Sequence, residues 1–230
     1  VPIELTSPPY ADLVAELAVV GRRVVSAGLV IGSGGNLSAR PPGGEIAVVT
    51  ATGTWLDQLG PADFAAVRIA DGALVGGHPA PSVEVALHLE SYRARPDVNA
   101  VVHLHPQLSV LVTALGHPIR LITTDHVHYV REVRVAPYQH SGTPELAAAA
   151  TGLIADGSCN CVILSNHGCS VVADTIELAH KRAANLEEAA QATYHALLLG
   201  DTTTVCPPAY RARLEELLAQ PDGAGLAGSH

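Results

Sequence analysis

The stretch Ser82-Val-Glu-Val-Ala-Leu-His-Leu-Glu-Ser-Tyr-Arg-Ala-Arg-Pro-Asp-Val-Asn-Ala-Val-Val-His-Leu-His105 changes its periodicity halfway along. From Ser82 to Arg95 it reads as a helix. Ser82 is the cap, Glu84 suits the positive first turn, and Pro96 bars continuation. From Asn99 to Leu104 it reads as a strand that stops at Pro106. A helix passing into a strand through a few residues is the unit of a chain that layers helices on a sheet.

The flanking sequence extends this pattern. Leu13, Leu17, Val20 and Val24 recur at helical spacing, with Gly28 as a stop. The run Gly32-Ser-Gly-Gly-Asn36 cannot be a regular element. Ile46 to Thr50 is strand-like, and Phe64–Ile69 and Ala73–Val75 flank the hairpin signature Asp71-Gly72. Further along, Gln107–Leu115 and Glu145–Ile154 read as helices, and Arg131–Val135 and Cys161–Leu164 as strands. Asp174 or Thr175 caps a long helix closed by Gly200, with Leu178, Leu186, Ala189, Ala190 and Leu197 on one stripe. There is no internal repeat and no domain-sized linker, so a single α/β domain over residues 1–220 is expected, with a loose tail at 221–230.

Composition excludes several classes of function. The 230 residues are 48% hydrophobic but only 3% aromatic, so Ala, Val, Leu and Ile must build the core. A net charge of −9 disfavours nucleic acid or an anionic membrane as partner, because an acidic surface gains nothing from counterion release. No apolar run reaches the about 18 residues of a membrane span, and Val1–Tyr10 carries no secretory pattern. Cys159, Cys161, Cys169 and Cys206 form no disulfide or zinc framework, and a cytoplasmic protein with free thiols is expected.

The chemistry begins with His103-Leu-His105. Residues two apart on a strand project to one face, so both imidazoles can reach a single cation. Such pairs also arise by chance, and His126-Val-His128 is a second one. The first pair has company in His167, on a glycine-containing turn after a strand, and Glu84, at the start of the preceding helix. Three histidines on a divalent ion leave a position open for substrate. Spacing alone leaves another reading open, in which His167 serves a turn and Glu84 a helix dipole. Gly35-Asn36, Thr52-Gly53 and Ser82 are either tight turns or a nest of N–H groups for an anion. His88 and Tyr92 share a helical face with Glu84; they either position it or pack the helix on the sheet. Trp55 and Phe64 are expected in the core or at an interface.

Taken in order, Gly35-Asn-Leu-Ser-Ala-Arg40, Thr50-Ala-Thr-Gly53, Pro81-Ser-Val-Glu84 with His88 and Tyr92, Arg95 through His105, Ala136-Pro-Tyr138, Asn166-His-Gly168 and Leu186-Glu187 resemble the class II aldolase/adducin family. The resemblance runs from about Leu13 to Gly200. It implies an α/β/α-layered fold around a mixed, largely antiparallel sheet, and a homotetramer with active sites between subunits. It further implies one divalent ion per subunit, foremost zinc, with manganese, cobalt or iron as alternatives. The ion would be held by His103, His105 and His167, with Glu84 as acid/base and ligand of the substrate-free metal. A phosphate cradle carries over onto Asn36, Thr52, Gly53 and Ser82.

Two positions depart from the family pattern. The serine usual before the glutamate is Val83 here. A tyrosine that protonates the aldehyde oxygen from a neighbouring subunit is replaced by threonine within Leu121–His128, so that role is not transferred. His126, His128 and Tyr129 are candidates to support the site from behind or to pack. The expected activity is metal-dependent, reversible aldol cleavage of a small hydroxy-ketone or sugar, phosphorylated or not, through a metal-stabilised enediolate. Alternatives are a decarboxylase of β-keto acids, a dehydratase of ketose phosphates, an iron-dependent oxygenase, or an adducin-like interaction domain. Retention of all four ligand residues speaks against the last.

Overall fold

The computed structural model describes residues 2–219; the expected loose tail at 221–230 lies outside them. Eight short strands, most of them apolar, form one sheet: β1 (Asn36–Ala39), β2 (Ile46–Thr50), β3 (Phe64–Arg68), β4 (Leu74–Gly77), β5 (Ala100–Leu104), β6 (Val133–Ala136), β7 (Cys161–Leu164) and β8 (Gly168–Ala173). Their order is β4-β3-β2-β1-β5-β8-β7-β6. Only β6 and β7 run parallel; every other neighbouring pair is antiparallel. The helices are α1 (Tyr10–Ser26), α2 (Val85–Ala94), α3 (Gln107–Ala114), α4 (Pro144–Gly152), α5 (Ile176–Leu198) and α6 (Pro208–Leu218).

Strand alternation assigns the layers. Ala100, Val102 and Leu104 of β5 share a core with Leu17 and Val24 of α1, Val112 of α3, and Ala183 and Leu186 of α5. Val101 turns to the other face, where Leu87 and Tyr92 of α2 meet Leu146 and Ala150 of α4. The result is the expected α/β/α arrangement around a mixed, largely antiparallel sheet. Leu17 and Leu186 are completely buried, and burial on that scale contributes about 2 kcal/mol for each side chain. Phe64 is buried as expected, whereas Trp55 is 50% exposed. All four cysteines are free and buried.

Two elements differ from expectation near the site. The helix expected from Ser82 begins at Val85, so Glu84 precedes it rather than lying within its first turn. Extended pairing draws Ser82 out of the helix: its N–H donates to the Thr50 carbonyl, and Thr52 N–H donates to Ala80. The Ser82 hydroxyl still accepts from Glu84 N–H at 3.2 Å. The strand expected from Arg131 begins at Val133, because Arg131 takes a left-handed φ of 61° after a π-helical turn over His126–Val130. At the long helix the cap is Thr175, whose hydroxyl accepts from Leu178 N–H.

Register then places the functional candidates. Asn36 of β1 pairs with His103 of β5, and both project to the α2 side of the sheet. The start of α2 and the β7–β8 turn reach the same sheet end.

Candidate metal centre

Three imidazoles and one carboxylate converge at that end. The rings of His103, His105 and His167 are 4.9, 4.9 and 5.0 Å apart, centroid to centroid. One ligand atom from each, with one from Glu84, lies within 4.8 Å of all the others. Glu84 Oε2 is 2.9 Å from His103 Nε2, and Oε1 is 3.4 Å from His167 Nε2. Glu84 and His103 are buried, and His105 and His167 are partly buried.

Hydrogen-bond polarity shows what the cluster can accept. His103 Nδ1 donates to the Cys169 carbonyl at 2.9 Å, so a neutral ring turns the Nε2 lone pair into the cluster. There it meets His105 Nε2 at 3.0 Å and a carboxylate oxygen that can only accept. Lone pairs facing lone pairs need a proton or a cation between them. Three nitrogens and one carboxylate, buried together, fit a divalent ion. Burial pulls the Glu84 carboxyl upward, but His103 beside it and the hydrogen bonds from Asn36 and Ser141 hold it well below its usual range. Burial, with His103 and His167 alongside, pushes His105 down to about 4. His167 is likewise lowered by burial and by His103, so these rings stay neutral and able to ligate.

Glycine makes the room. A Cβ on Gly34 would stand 2.5 Å from His105 Nδ1, and one on Gly168 would stand 2.4 Å from the Leu104 carbonyl and 2.7 Å from His105 Cδ2. Sequence reading took the Gly32–Asn36 run for an irregular turn, with Gly35-Asn36 a tight turn or part of an anion nest, and tied Gly34 to no histidine. The available signal was a glycine beside a chain that must approach closely.

A cleft of about 220 Å³ opens beside the cluster. Asn36, Thr52, Gly53 and Ser82 line it together with Glu84, His105 and His167. Val83, 68% exposed, lies on the same wall. Ser141 was missed; its hydroxyl donates to Glu84 Oε1 at 2.9 Å. It sits on the loop between β6 and α4, and no spacing in the sequence ties it to Glu84. His126, His128 and Tyr129 lie on the π-helical turn beside α5, outside the cluster of this chain. His126 Nδ1 accepts from the N–H groups of Ile122 and Thr123, which fastens its own turn. Two larger clefts of about 530 Å³ lie between α1 and α5 and beside α6; neither touches the four ligand residues.

The family model described as "Class II Aldolase and Adducin N-terminal domain" matches residues 15–194. A 5-deoxy-D-ribulose 1-phosphate aldolase of Bacillus thuringiensis serovar kurstaki is 31% identical over 186 residues, covering 81% of this chain and 86% of that protein. A 3-oxo-tetronate 4-phosphate decarboxylase of Escherichia coli K12 is 33% identical over 191 residues, covering 81% and 86%. Among solved structures, an L-fuculose 1-phosphate aldolase superposes with a TM-score of 0.81 at 27% identity, covering 90% of this chain and 96% of that one.

Proposed function

The chain belongs to the class II aldolase and adducin family, and on that premise we propose that it is a divalent-metal-dependent lyase. It performs reversible aldol cleavage of a small phosphorylated hydroxy-ketone. The single observation that carries this is the meeting of three imidazole nitrogens with the Glu84 carboxylate at the mouth of a polar cleft.

A divalent ion, with zinc foremost, would be held by His103, His105 and His167 and would supply Lewis-acid polarisation of the substrate carbonyl. Glu84 has the reach and chemistry to move the proton at the carbon next to that carbonyl. Its hydrogen bonds from Asn36 and Ser141 fix both carboxylate oxygens against drift. The Asn36 amide, the Thr52 and Ser82 hydroxyls and the Gly53 backbone offer neutral donors around the remaining cleft. In an acidic protein such local donors are the means of holding a phosphate. Phosphate esters also appear in the names of relatives on both the aldolase and the decarboxylase side.

A second reaction has specific support. The decarboxylase relative, at 33% identity, is as similar as the aldolases. Loss of carbon dioxide from a β-keto acid leaves the same kind of carbanion beside a carbonyl, so the same residues serve it.

A product-resolved screen separates the two. Metal-loaded protein is offered ketose phosphates, unphosphorylated ketoses and β-keto acids, with and without chelator. Aldehyde release from a ketose phosphate, abolished by chelator and restored by metal, is the expected result. Carbon dioxide release without aldehyde would replace aldol cleavage by decarboxylation. Turnover untouched by the chelator would remove the metal from the reaction.

A further inference from the structure

Behind Glu84 a line of buried polar groups runs from the cleft into the packing between α2 and the sheet. Asn36 Nδ2 donates to Glu84 Oε2 at 3.0 Å. Asn36 Oδ1 lies 2.5 Å from His88 Nε2. On the other side of the ring, His88 Nδ1 is 2.6 Å from Ser38 Oγ, which is 2.7 Å from the Tyr92 hydroxyl. Ser38 and His88 are 0% exposed, Tyr92 2% and Asn36 6%. Buried this deeply, the groups must satisfy one another.

The line has one consistent polarity. A carboxylate only accepts, so Asn36 turns its NH₂ to Glu84 and its carbonyl oxygen to His88. That oxygen only accepts, so His88 Nε2 carries the proton. Burial pushes His88 down to about 3, with His103 adding to the effect and Glu84 opposing it, so the ring is neutral and Nδ1 is an acceptor. Ser38 therefore donates to Nδ1 and accepts from Tyr92. Burial keeps the Tyr92 phenol protonated, and the Val101 backbone hydrogen-bonds to it at the far end. Simple packing of α2 on β1 would be met by an apolar side chain without the cost of burying an imidazole.

We propose that His88, braced by Ser38 and Tyr92, is a positioning residue that locks the Asn36 amide with its Nδ2 aimed at Glu84. Without that lock the amide is free to flip, which would set its carbonyl oxygen against the carboxylate. Glu84 would then lose its aim into the cleft. The inference rests on Glu84 being the proton-transfer group proposed above.

The first test needs neither metal nor substrate. Histidine ¹⁵N NMR of the metal-free protein, assigned by the signal lost in His88→Gln, should show His88 as the Nε2–H tautomer at neutral pH. An Nδ1–H tautomer or an imidazolium overturns the proposal. The second test compares two variants of the metal-loaded enzyme. In His88→Gln the amide reaches the old Nε2 position and still donates to Asn36; in His88→Asn it reaches only toward Ser38. His88→Asn should lower kcat about tenfold to a hundredfold, the scale of a misplaced reacting group. KM should stay within about threefold and metal content should be unchanged. His88→Gln should recover most of kcat. In an Asn36→Ala background His88→Asn should add nothing further, because the coupling runs through that amide. Equal losses in the two variants, a loss carried by KM, or additivity with Asn36→Ala each overturns it. A protein that turns over none of the screened substrates would sink the functional reading and leave the tautomer measurement decisive for His88.

Discussion

The carbonyl oxygen of Cys169 holds His103 by its Nδ1 at 2.9 Å, across the ladder that joins β5 to β8. That contact decides which nitrogen of His103 faces Glu84. The nitrogen turned inward competes for a cation with protons from solvent, as do those of His105 and His167, because an imidazole must be neutral to ligate. Acid should therefore strip the metal. Metal content measured after dialysis at a series of pH values reads this directly, and a content that stays flat down to about pH 4 would argue against three histidine ligands.

His105 keeps its place because Gly34 has no side chain. The Cβ of an alanine at Gly34 would stand 2.5 Å from His105 Nδ1, closer than any packed carbon tolerates. The ring, partly exposed and at the edge of the cleft, yields before the backbone does. Gly34→Ala should therefore fold, keep His103 and His167 together, and bind metal about ten- to a hundredfold more weakly. Chelator competition reads the affinity, and circular dichroism the fold. Unaltered affinity would show that His105 is not needed as a ligand.

The strands that carry this geometry were unevenly legible in the sequence. His103 and His105 announced themselves by their spacing on an apolar run, and Pro106 marked where it stopped. β1 went unseen, although Gly35-Asn-Leu-Ser-Ala-Arg40 was noticed for its resemblance. It has four residues, all buried, and its polar members face a hydrogen-bond line rather than solvent. Alternation on such a strand does not separate inside from outside, which is the signal that pattern reading uses. β8 was hidden behind the turn that it leaves: Gly168 looks like punctuation yet pairs with Leu164 as the first residue of the strand. Ser141 and Gly34 depend on contacts between distant segments, and no local spacing encodes those.

Glu84 is buried and bonded on both oxygens, so an isosteric amide can occupy the same volume. Glu84→Gln removes the basic oxygen while keeping one donor-compatible oxygen for Asn36 or Ser141. The three imidazoles remain. Metal should stay bound, and kcat should fall about a hundredfold to ten-thousandfold, the range for loss of a general acid or base. Metal analysis beside steady-state kinetics separates ligand loss from catalytic loss. Undiminished turnover would take Glu84 out of the chemistry.

Glu187 of α5 reaches across to the start of α3. Its carboxylate accepts from Leu108 N–H, Ser109 N–H and the Ser109 hydroxyl, at 2.8, 2.8 and 2.7 Å. α3 has no side-chain cap of its own, because Pro106 stands at that position. An anion there answers both the orphan N–H groups and the helix dipole. Glu187→Ala should cost about 1–3 kcal/mol of stability. Since α3 begins two residues after His105, metal affinity should fall as well. Glu187→Gln, which keeps an acceptor, should recover part of both. Thermal melts and metal titrations of the pair test this; an alanine variant as stable as the parent would reduce the contact to decoration.

Acid should weaken the metal-free fold through His88. Its pKa lies near 6.5 in an unfolded chain, and burial pushes it down to about 3 in the folded one. Between those values the unfolded state binds more protons than the folded state, so stability rises with pH and is lost as pH falls. For one group held neutral the loss is about 1.4 kcal/mol per pH unit within that window. Glutamine at the same place does not titrate. The stability of the parent should therefore exceed that of His88→Gln by the most above pH 7, and the gap should narrow steadily toward pH 4. Denaturant unfolding of both proteins across that range measures it, and a gap that stays constant or widens on acidification would mean that His88 is already charged in the folded chain.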